Sequence, residues 1–265
     1  MNYNFSTDKF VGQAIESIVK QTFSDFEFII IDNCSSDESY KICEEYAKKD
    51  DIIKLFRNEE NMGISFTRNR LIQLATTNYI VSQDSDDISF PNRVRLEYEF
   101  LEQNADYGAV YGNMEIIDED GKNIGFRKYS PKIGKVILKK SPISNPASMF
   151  RKDIFLQLGG YDPGLNYGED YNLWMKIRVN GYKIKNVDDN LIKYRIRNGQ
   201  SKSTKLKETL RNTIFIQKKA IKVGLKPTFS DRMYHFLEKY LLLLPSWLIL
   251  WLFTKLELKD NKGIF

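Results

Sequence analysis

The apolar positions of the first hundred residues come in alternating runs. "FEFIII", residues 26–31, is a continuous aromatic and β-branched stretch of the kind buried on both faces of a parallel sheet. "SSDESYKICEEYAKK" follows, with Ser35 and Glu38 spaced as a capping box at the head of a helix. The pattern then predicts a short strand near residues 52–56, a helix over 64–75, a strand at "NYIVSQ" and a helix over 92–103. Strand and helix in strict alternation argue an α/β fold, a doubly wound and mostly parallel sheet whose strand ends point at a ligand. After about residue 107 the rhythm changes. "GAVYGNMEIIDEDGKNIGFRKY" reads as short antiparallel strands with a turn at Asp120 and Gly121, and two or three helices are expected from about Ser201 onward. The organisation expected is one domain over residues 1–200 and a C-terminal helical extension over 201–265.

That extension is basic first and apolar afterwards. Lys202, Lys205, Lys207, Arg211, Lys218, Lys219, Lys222 and Lys226 face only Glu208 over their span. Such a segment meets an anionic surface or forms a solvated basic face. It lacks the interleaved aromatics or recognisable module of a nucleic-acid binder, so no nucleic-acid partner is expected. "YLLLLPSWLILWLF", residues 240–253, is almost wholly apolar but carries a proline and falls short of the roughly 20 residues that span a bilayer. It packs on the domain or lies in a membrane interface, where Trp247 and Trp251 would be at home. Peripheral contact with the inner face of a membrane is the expectation.

Composition narrows the chemistry. A chain of 265 residues with 42% hydrophobic content and a net charge of +5 suits a globular domain with a sizeable core. Cys34 and Cys43 form neither a metal-ligand spacing nor a disulfide framework, which points to a reducing cytoplasm. "MNYNFSTDKF" has no basic region followed by an apolar stretch, so no secretory signal is expected. One histidine, His235, leaves Ser/His/Asp, Cys/His and His-rich zinc chemistry without their residues. Carboxylates must do any acid, base or metal work.

"YIVSQDSDDISFP" supplies them: Asp84, Asp86 and Asp87 fall within four residues, directly after an apolar run. Like charges this close repel and raise one another's pKa. If the strand ends near Gln83 and the chain stays extended, Asp84 and Asp86 share a face at period two. Two carboxylates aimed at one point suit a hard divalent cation, Mg²⁺ or Mn²⁺, with positions left for phosphate. The other reading is a solvated acidic turn in which Asp87 or Ser89 caps the next helix.

Taken in order, "AIESIVKQTFSDFEFIIIDNCSSDES", "NMGISFTRNRLIQLATTNYIVSQDSDDISFPNRV" and "GGYDPGLNYGEDYNLWMKI" resemble the family 2 glycosyltransferases, inverting enzymes of the GT-A fold, over about residues 3–194. The resemblance implies that Asp84 and Asp86 are the DxD metal motif and that Asp32 contacts the nucleoside. It places Tyr3, Asp32, Asn61, Gly63, Arg68, Asp84 and Arg197 beside the donor, and Glu169 and Trp174 on the acceptor side. Asp170 becomes the general base, a role worth on the order of 10² to 10⁴ in rate. Gly63 permits close backbone approach, and Arg68 suits a carboxylate of the site or a phosphate.

Three departures from the family's pattern carry expectations of their own. Asn33 and Cys34 stand where the family commonly has Asp and Gly, and Cys34 is expected to forbid a turn that needs positive φ. "YRIR" replaces a YRxH motif, so Arg197 takes the place of a histidine; a guanidinium cannot ligate a cation but neutralises phosphate charge. Met1 occupies the place of a proline that usually ends an apolar first strand. That central strand is expected to be missing, leaving its neighbours with unpaired edges. The activity implied is transfer of a sugar, with inversion, from a nucleotide sugar such as a UDP-sugar to a saccharide or lipid-linked acceptor, in surface polysaccharide or glycolipid synthesis. Two other classes stay open: a metal-dependent phosphatase or nucleotidyltransferase, and a non-catalytic nucleotide-sugar-binding protein.

Overall fold

The computed structural model describes residues 7–165, 167–197, 206–246 and 248–249. Tyr3, Lys202, Lys205, Trp247 and Trp251 lie outside the described residues.

The amino-terminal third packs around a small apolar core. Helix α1 (Asp8–Val19) lays Val11, Ala14, Ile15 and Ile18 against Phe28 and Ile30 of strand β1 (Phe28–Asp32). Helix α2 (Ser39–Ala47) adds Cys43, and strand β2 (Ile53–Arg57) pairs with β1 in parallel and adds Ile53. The expected capping box does not form. Helix α2 starts only at Ser39, because Asp37 accepts from the Ser39 backbone N–H at 3.0 Å and from the Thr7 backbone N–H at 2.9 Å. Glu38 is left to pair with Lys41 on the surface.

Helix α3 (Ile64–Leu74), strand β3 (Tyr79–Val81) and helix α4 (Arg93–Gln103) follow where the periodicity predicted them, with a two-residue strand β4 (Ile88–Ser89) between β3 and α4 that it did not predict. Strands β5 (Tyr107–Ile117) and β6 (Asn123–Arg127) form the expected antiparallel pair. Then come β7 (Ser148–Arg151), α5 (Lys152–Gln157), α6 (Glu169–Val179) and β8 (Lys183–Arg195). The larger sheet runs β3-β7-β5-β8-β4 with β6 attached to β5. The architecture is α/β as expected, and the sheet is mixed. β5 and β8 are parallel, while β3 with β7, β5 with β7 and β4 with β8 are antiparallel. From β5 to β7 the chain runs through the β5–β6 hairpin and loops, with no α-helical crossover, which permits that antiparallel pair.

The main core lies between this sheet and α5 and α6, around Phe150, Phe155, Tyr161, Tyr171 and Trp174. Helix α7 (Leu206–Lys222) closes it with Ile216 and Ala220, and helix α8 (Phe229–Leu241) packs on α7. The first helix of the extension therefore shares the core of the domain.

The β1–β2 pair is not hydrogen-bonded to the larger sheet. Between β1 and β3 lies a pocket open to solvent and lined by Ile18, Phe28, Ile29, Ile80, Val81 and Phe150. Glu27, just ahead of β1, accepts from the backbone N–H and the hydroxyl of Thr76, just ahead of β3. At their other ends β1 closes on Asp32 and β3 leads into Asp84.

Candidate active site

The carboxyl ends of β1 and β3 and the amino ends of α3 and α6 converge beside that pocket. At the end of β1, Asp32 is fully buried, held by Arg57 Nε at 2.9 Å and accepting from the Ser35 backbone N–H at 3.2 Å. Cys34, between them, has φ of +64°. The expectation that a cysteine forbids the turn is therefore corrected: the residue adopts the left-handed conformation, at a cost of about 1 kcal/mol, with its side chain on the surface where the thiol has room. A network of amides holds the loop against that strain. Buried Asn33 accepts from Asn58 Nδ2 at 2.7 Å and from the Met62 backbone N–H at 3.0 Å, and donates to Asn61 Oδ1 at 2.9 Å. Asn61 Oδ1 also accepts from the backbone N–H of Gly63, whose φ of +78° heads α3. Asn61 and Gly63 thus stand in the loop that faces the end of β1.

One turn into α3, Arg68 reaches two motifs that lie far apart in the chain. Its Nη1 donates to Glu169 Oε1 at 2.6 Å and its Nη2 to Asp84 Oδ1 at 3.2 Å. Burial works against the charge of Arg68, but Asp84 and Glu169 outweigh it and raise its pKa. The face of the guanidinium lies over Tyr161 at 5.8 Å. Tyr161 is clamped in turn by Asn69, which donates to its carbonyl and accepts from its N–H at 2.9 Å each. Gly160 makes this clamp possible: its φ is +63°, and a Cβ there would come within 2.7 Å of Asn69 Oδ1.

Glu169 and Asp170 occupy the first turn of α6, where the helix dipole favours carboxylates. Burial and the neighbouring Asp170 push Glu169 up to about 7, with Arg68 opposing the rise. Asp170 is half-buried and close enough to Arg68, Tyr161 and Glu169 for its charge to act on all three. Trp174, expected on the acceptor side, is fully buried against Phe150 and faces no surface. The reason is that α6 is buried nearly all round, through Tyr171, Leu173, Met175 and Ile177 as well.

The acidic cluster divides its side chains between different partners. Asp84 turns to Arg68, and Asp86 Oδ2 pairs with Arg197 Nη2 at 2.6 Å. Burial and the charge of Asp84 raise the pKa of Asp86 against the pull of Arg197. Asp87 is fully buried, accepts from the Arg195 backbone N–H at 2.9 Å, and is raised well above the usual range by burial and its two neighbours. It pins β8 and does not cap α4, whose N-cap is Asn92. Among the described residues no group of three or more His, Cys, Asp or Glu side chains could cage a metal by itself. Among the described residues Asp84 Oδ2 has no hydrogen-bond partner, and the charge of Asp84 acts to raise the pKa of Asp86 while that of Arg197 acts to lower it. These residues fit a hard cation that shares its remaining positions with phosphate oxygens.

Two residues that hold this loop carried no role in the sequence. Arg93, fully buried, pairs with Glu97 at 3.2 Å and donates to the Ser82 carbonyl at 2.7 Å and to Ser89 Oγ at 3.0 Å, fixing the end of β3. Arg195 donates to the carbonyls of Asp86, Asp118 and Glu119 and to Gln13 Oε1. The spacing of Arg93 and Glu97 by four in a helix was the one available signal. For Arg195 it was membership of "YRIR", two residues before Arg197.

Residues 2–159 match the family profile described as Glycosyl transferase family 2. The chain belongs to that family. This family 2 glycosyltransferase is 34% identical over 240 residues to the O-antigen biosynthesis glycosyltransferase WbnJ of Escherichia coli, covering 86% of this chain and 91% of WbnJ. Among solved structures it resembles the mannosyltransferase PcManGT of Pyrobaculum calidifontis in complex with GDP-Man and Mn²⁺. The TM-score is 0.66 at 17% identity, over 94% of this chain and 70% of PcManGT. It resembles S. aureus TarS 1–349 in complex with UDP-GlcNAc with a TM-score of 0.65 at 17% identity, over 92% of this chain and 80% of that one. The fold of this glycosyltransferase is accordingly GT-A.

The buried Arg93–Glu97 pair gives the enzyme a pH signature. Burial pushes Glu97 up to about 7 from an ordinary value of 4.5, against the pull of Arg93. Between those values the folded chain holds a proton that the unfolded chain has released, so this group makes stability fall as pH rises from 4.5 to 7. Glu97→Gln is expected to flatten that fall, by at most about 3 kcal/mol across the window. Urea unfolding at several pH values measures it; an unchanged slope would refute the assignment.

Proposed function

We propose that this enzyme transfers a sugar from a nucleoside-diphosphate sugar to an acceptor hydroxyl with inversion at the anomeric carbon. The observation that carries the reading is the double ion pair of Arg68, which brings Asp84 of the acidic loop to the helix head that bears Glu169 and Asp170. A donor held at the acidic loop would then present its anomeric carbon to an acceptor activated from α6. Asp170 takes the acceptor proton as the acceptor oxygen attacks. The new C–O bond forms on the face opposite the phosphate, the bond to the phosphate oxygen breaks, and the nucleoside diphosphate leaves. A single in-line displacement inverts the centre.

The other residues divide the remaining work. A Mg²⁺ or Mn²⁺ held by Asp84 and Asp86 would neutralise charge on the departing diphosphate. Arg197, paired with Asp86 across the same loop, is placed to add a guanidinium to that charge. Arg68 is a positioning residue, since both of its outer nitrogens are engaged by carboxylates. Asp32 and the turn at Cys34 take the nucleoside side, with Asn61 and Gly63 beside them, and Tyr3 is assigned to the same side. A UDP-sugar is the donor class chosen. A saccharide, free or lipid-linked, is the acceptor, in line with the part of WbnJ in O-antigen biosynthesis.

Asp170→Asn is expected to lower kcat by about 10² to 10⁴ while leaving donor affinity within a few-fold. A panel of nucleotide sugars, with turnover and donor binding measured separately, tests this. Full turnover in the variant would remove Asp170 from the mechanism, and release of phosphate from simple esters without sugar transfer would overturn the activity. Chelation by EDTA is expected to suppress transfer, and added Mn²⁺ to restore it in the native chain but not in Asp84→Asn/Asp86→Asn. Undiminished transfer in EDTA would overturn the cation's role.

A further inference from the structure

Helix α8 is amphipathic in the reverse of the usual sense. Its acidic residues face inward: Asp231 is 4% exposed and closes a capping box with Thr228, and Glu238 is 3% exposed. Its large apolar side chains face outward, with Phe229 at 81%, Phe236 at 53% and Leu237 at 56% exposure, together with Met233 and Tyr240. At 100° per residue these five positions fall on a single stripe, and Leu243 continues it past the end of the helix. The inward face stays polar because it has polar company, with Asp231 3.9 Å from Lys139 and Glu238 beside Gln217 of α7. Among the described residues nothing covers the stripe.

We propose that this stripe docks on the surface of a bilayer containing anionic lipid. Charge supports that occupant. Arg232 and Lys239 are exposed and line one edge of the stripe by the same helical arithmetic, while both acids of the helix point away from it. Lys218, Lys222 and Lys226 are exposed at the end of α7 and in the turn before α8. Cations beside a shallow apolar face match anionic headgroups above acyl chains. Continuity supports it too, since the sequence runs directly from α8 into "LLLLPSWLILWLF". No described helix is long and apolar enough to cross a membrane, so the geometry is that of a helix lying on the surface. The inference stands on this surface alone and does not depend on the catalytic reading. If the acceptor is lipid-linked, it also explains how the enzyme meets it.

The test is sedimentation of the full chain with vesicles of phosphatidylcholine alone and of phosphatidylcholine mixed with phosphatidylglycerol, against a control without vesicles. The chain is expected to sediment with the mixed vesicles, and less so at high salt. Phe229→Ser/Phe236→Ser/Leu237→Ser should weaken binding at least tenfold, to judge from about 1.5–3 kcal/mol per fully buried side chain. Lys218→Gln/Lys222→Gln/Lys239→Gln should weaken it about fivefold per charge removed. Both variants alter exposed side chains, and retention of the native Tm and of donor binding confirms their fold. No vesicle binding by the native chain, or binding equal in the native chain and the triple serine variant, overturns the proposal. So does a concentration-dependent dimer that the serine variant abolishes without any vesicle binding, which would assign the stripe to a second copy.

Discussion

The site depends on one guanidinium. Arg68 sits 13% exposed between a carboxylate sixteen residues along the chain and another a hundred and one residues along, and among the described residues it is the ion-pair partner of both. Removing one member of such a buried pairing strands the others, at about 3–5 kcal/mol where burial is complete and less at the more open Asp84. More than stability is at stake. The acidic loop belongs to the sheet and the Glu169–Asp170 turn to a helix on the other side of the cleft, so the distance between the two acidic motifs is set by the reach of this side chain. Tyr161 and its clamp to Asn69 fix the plane in which the guanidinium can lie, and Gly160 lets the chain pass close enough for the clamp.

Around this bracket the protein spends buried polar groups freely. Arg93 and Arg195 are almost wholly withdrawn from solvent, and both give hydrogen bonds to backbone carbonyls of the segment that carries the aspartates. Guanidiniums suit the task, because five donors in a rigid fork can hold several carbonyls of an irregular loop at once. The asparagine network behind Cys34 does the same for the loop after β1, where a left-handed cysteine would relax if the amides let go. Irregular backbone at a ligand-binding edge is kept in place by side chains because no ladder of strand or helix can reach it.

The legible parts of the sequence were those governed by local periodicity. β1, β2, α3, β3, α4 and the β5–β6 hairpin all appear within a few residues of the positions their apolar patterns predicted. The acidic cluster was legible as chemistry, because three carboxylates in four residues need partners wherever they lie. What could not be read is what depends on contacts between distant segments. Trp174 looks like any aromatic near a pair of acids until α6 proves to be buried nearly all round. Cys34 was judged by intrinsic φ preference, and the tertiary network overrode it by an amount comparable to one or two hydrogen bonds. The capping box failed for a similar reason, since Asp37 ties the helix start to Thr7, a partner thirty residues away. The mixed sheet was hidden because "SMFR" is too short to declare its direction.

Electrostatic balance links these supports to the chemistry. Asp84, Asp86, Asp87, Glu169 and Asp170 crowd a cleft in which Arg68 and Arg197 are the guanidiniums paired directly with their carboxylates. Asp87 takes itself out of the count, since burial and its neighbours favour its neutral form, and Glu169 stands near the edge of doing so. That leaves three carboxyl groups, Asp84, Asp86 and Asp170, beside two guanidiniums. On the proposed reading, a donor diphosphate entering such a cleft would bring further negative charge into partly desolvated surroundings, where repulsion is several times stronger than in bulk water. Arg197 could lean toward the phosphates only by releasing Asp86, which exchanges one unbalanced anion for another. A cation arriving with the donor, shared between the phosphates and Asp84, would remove that conflict.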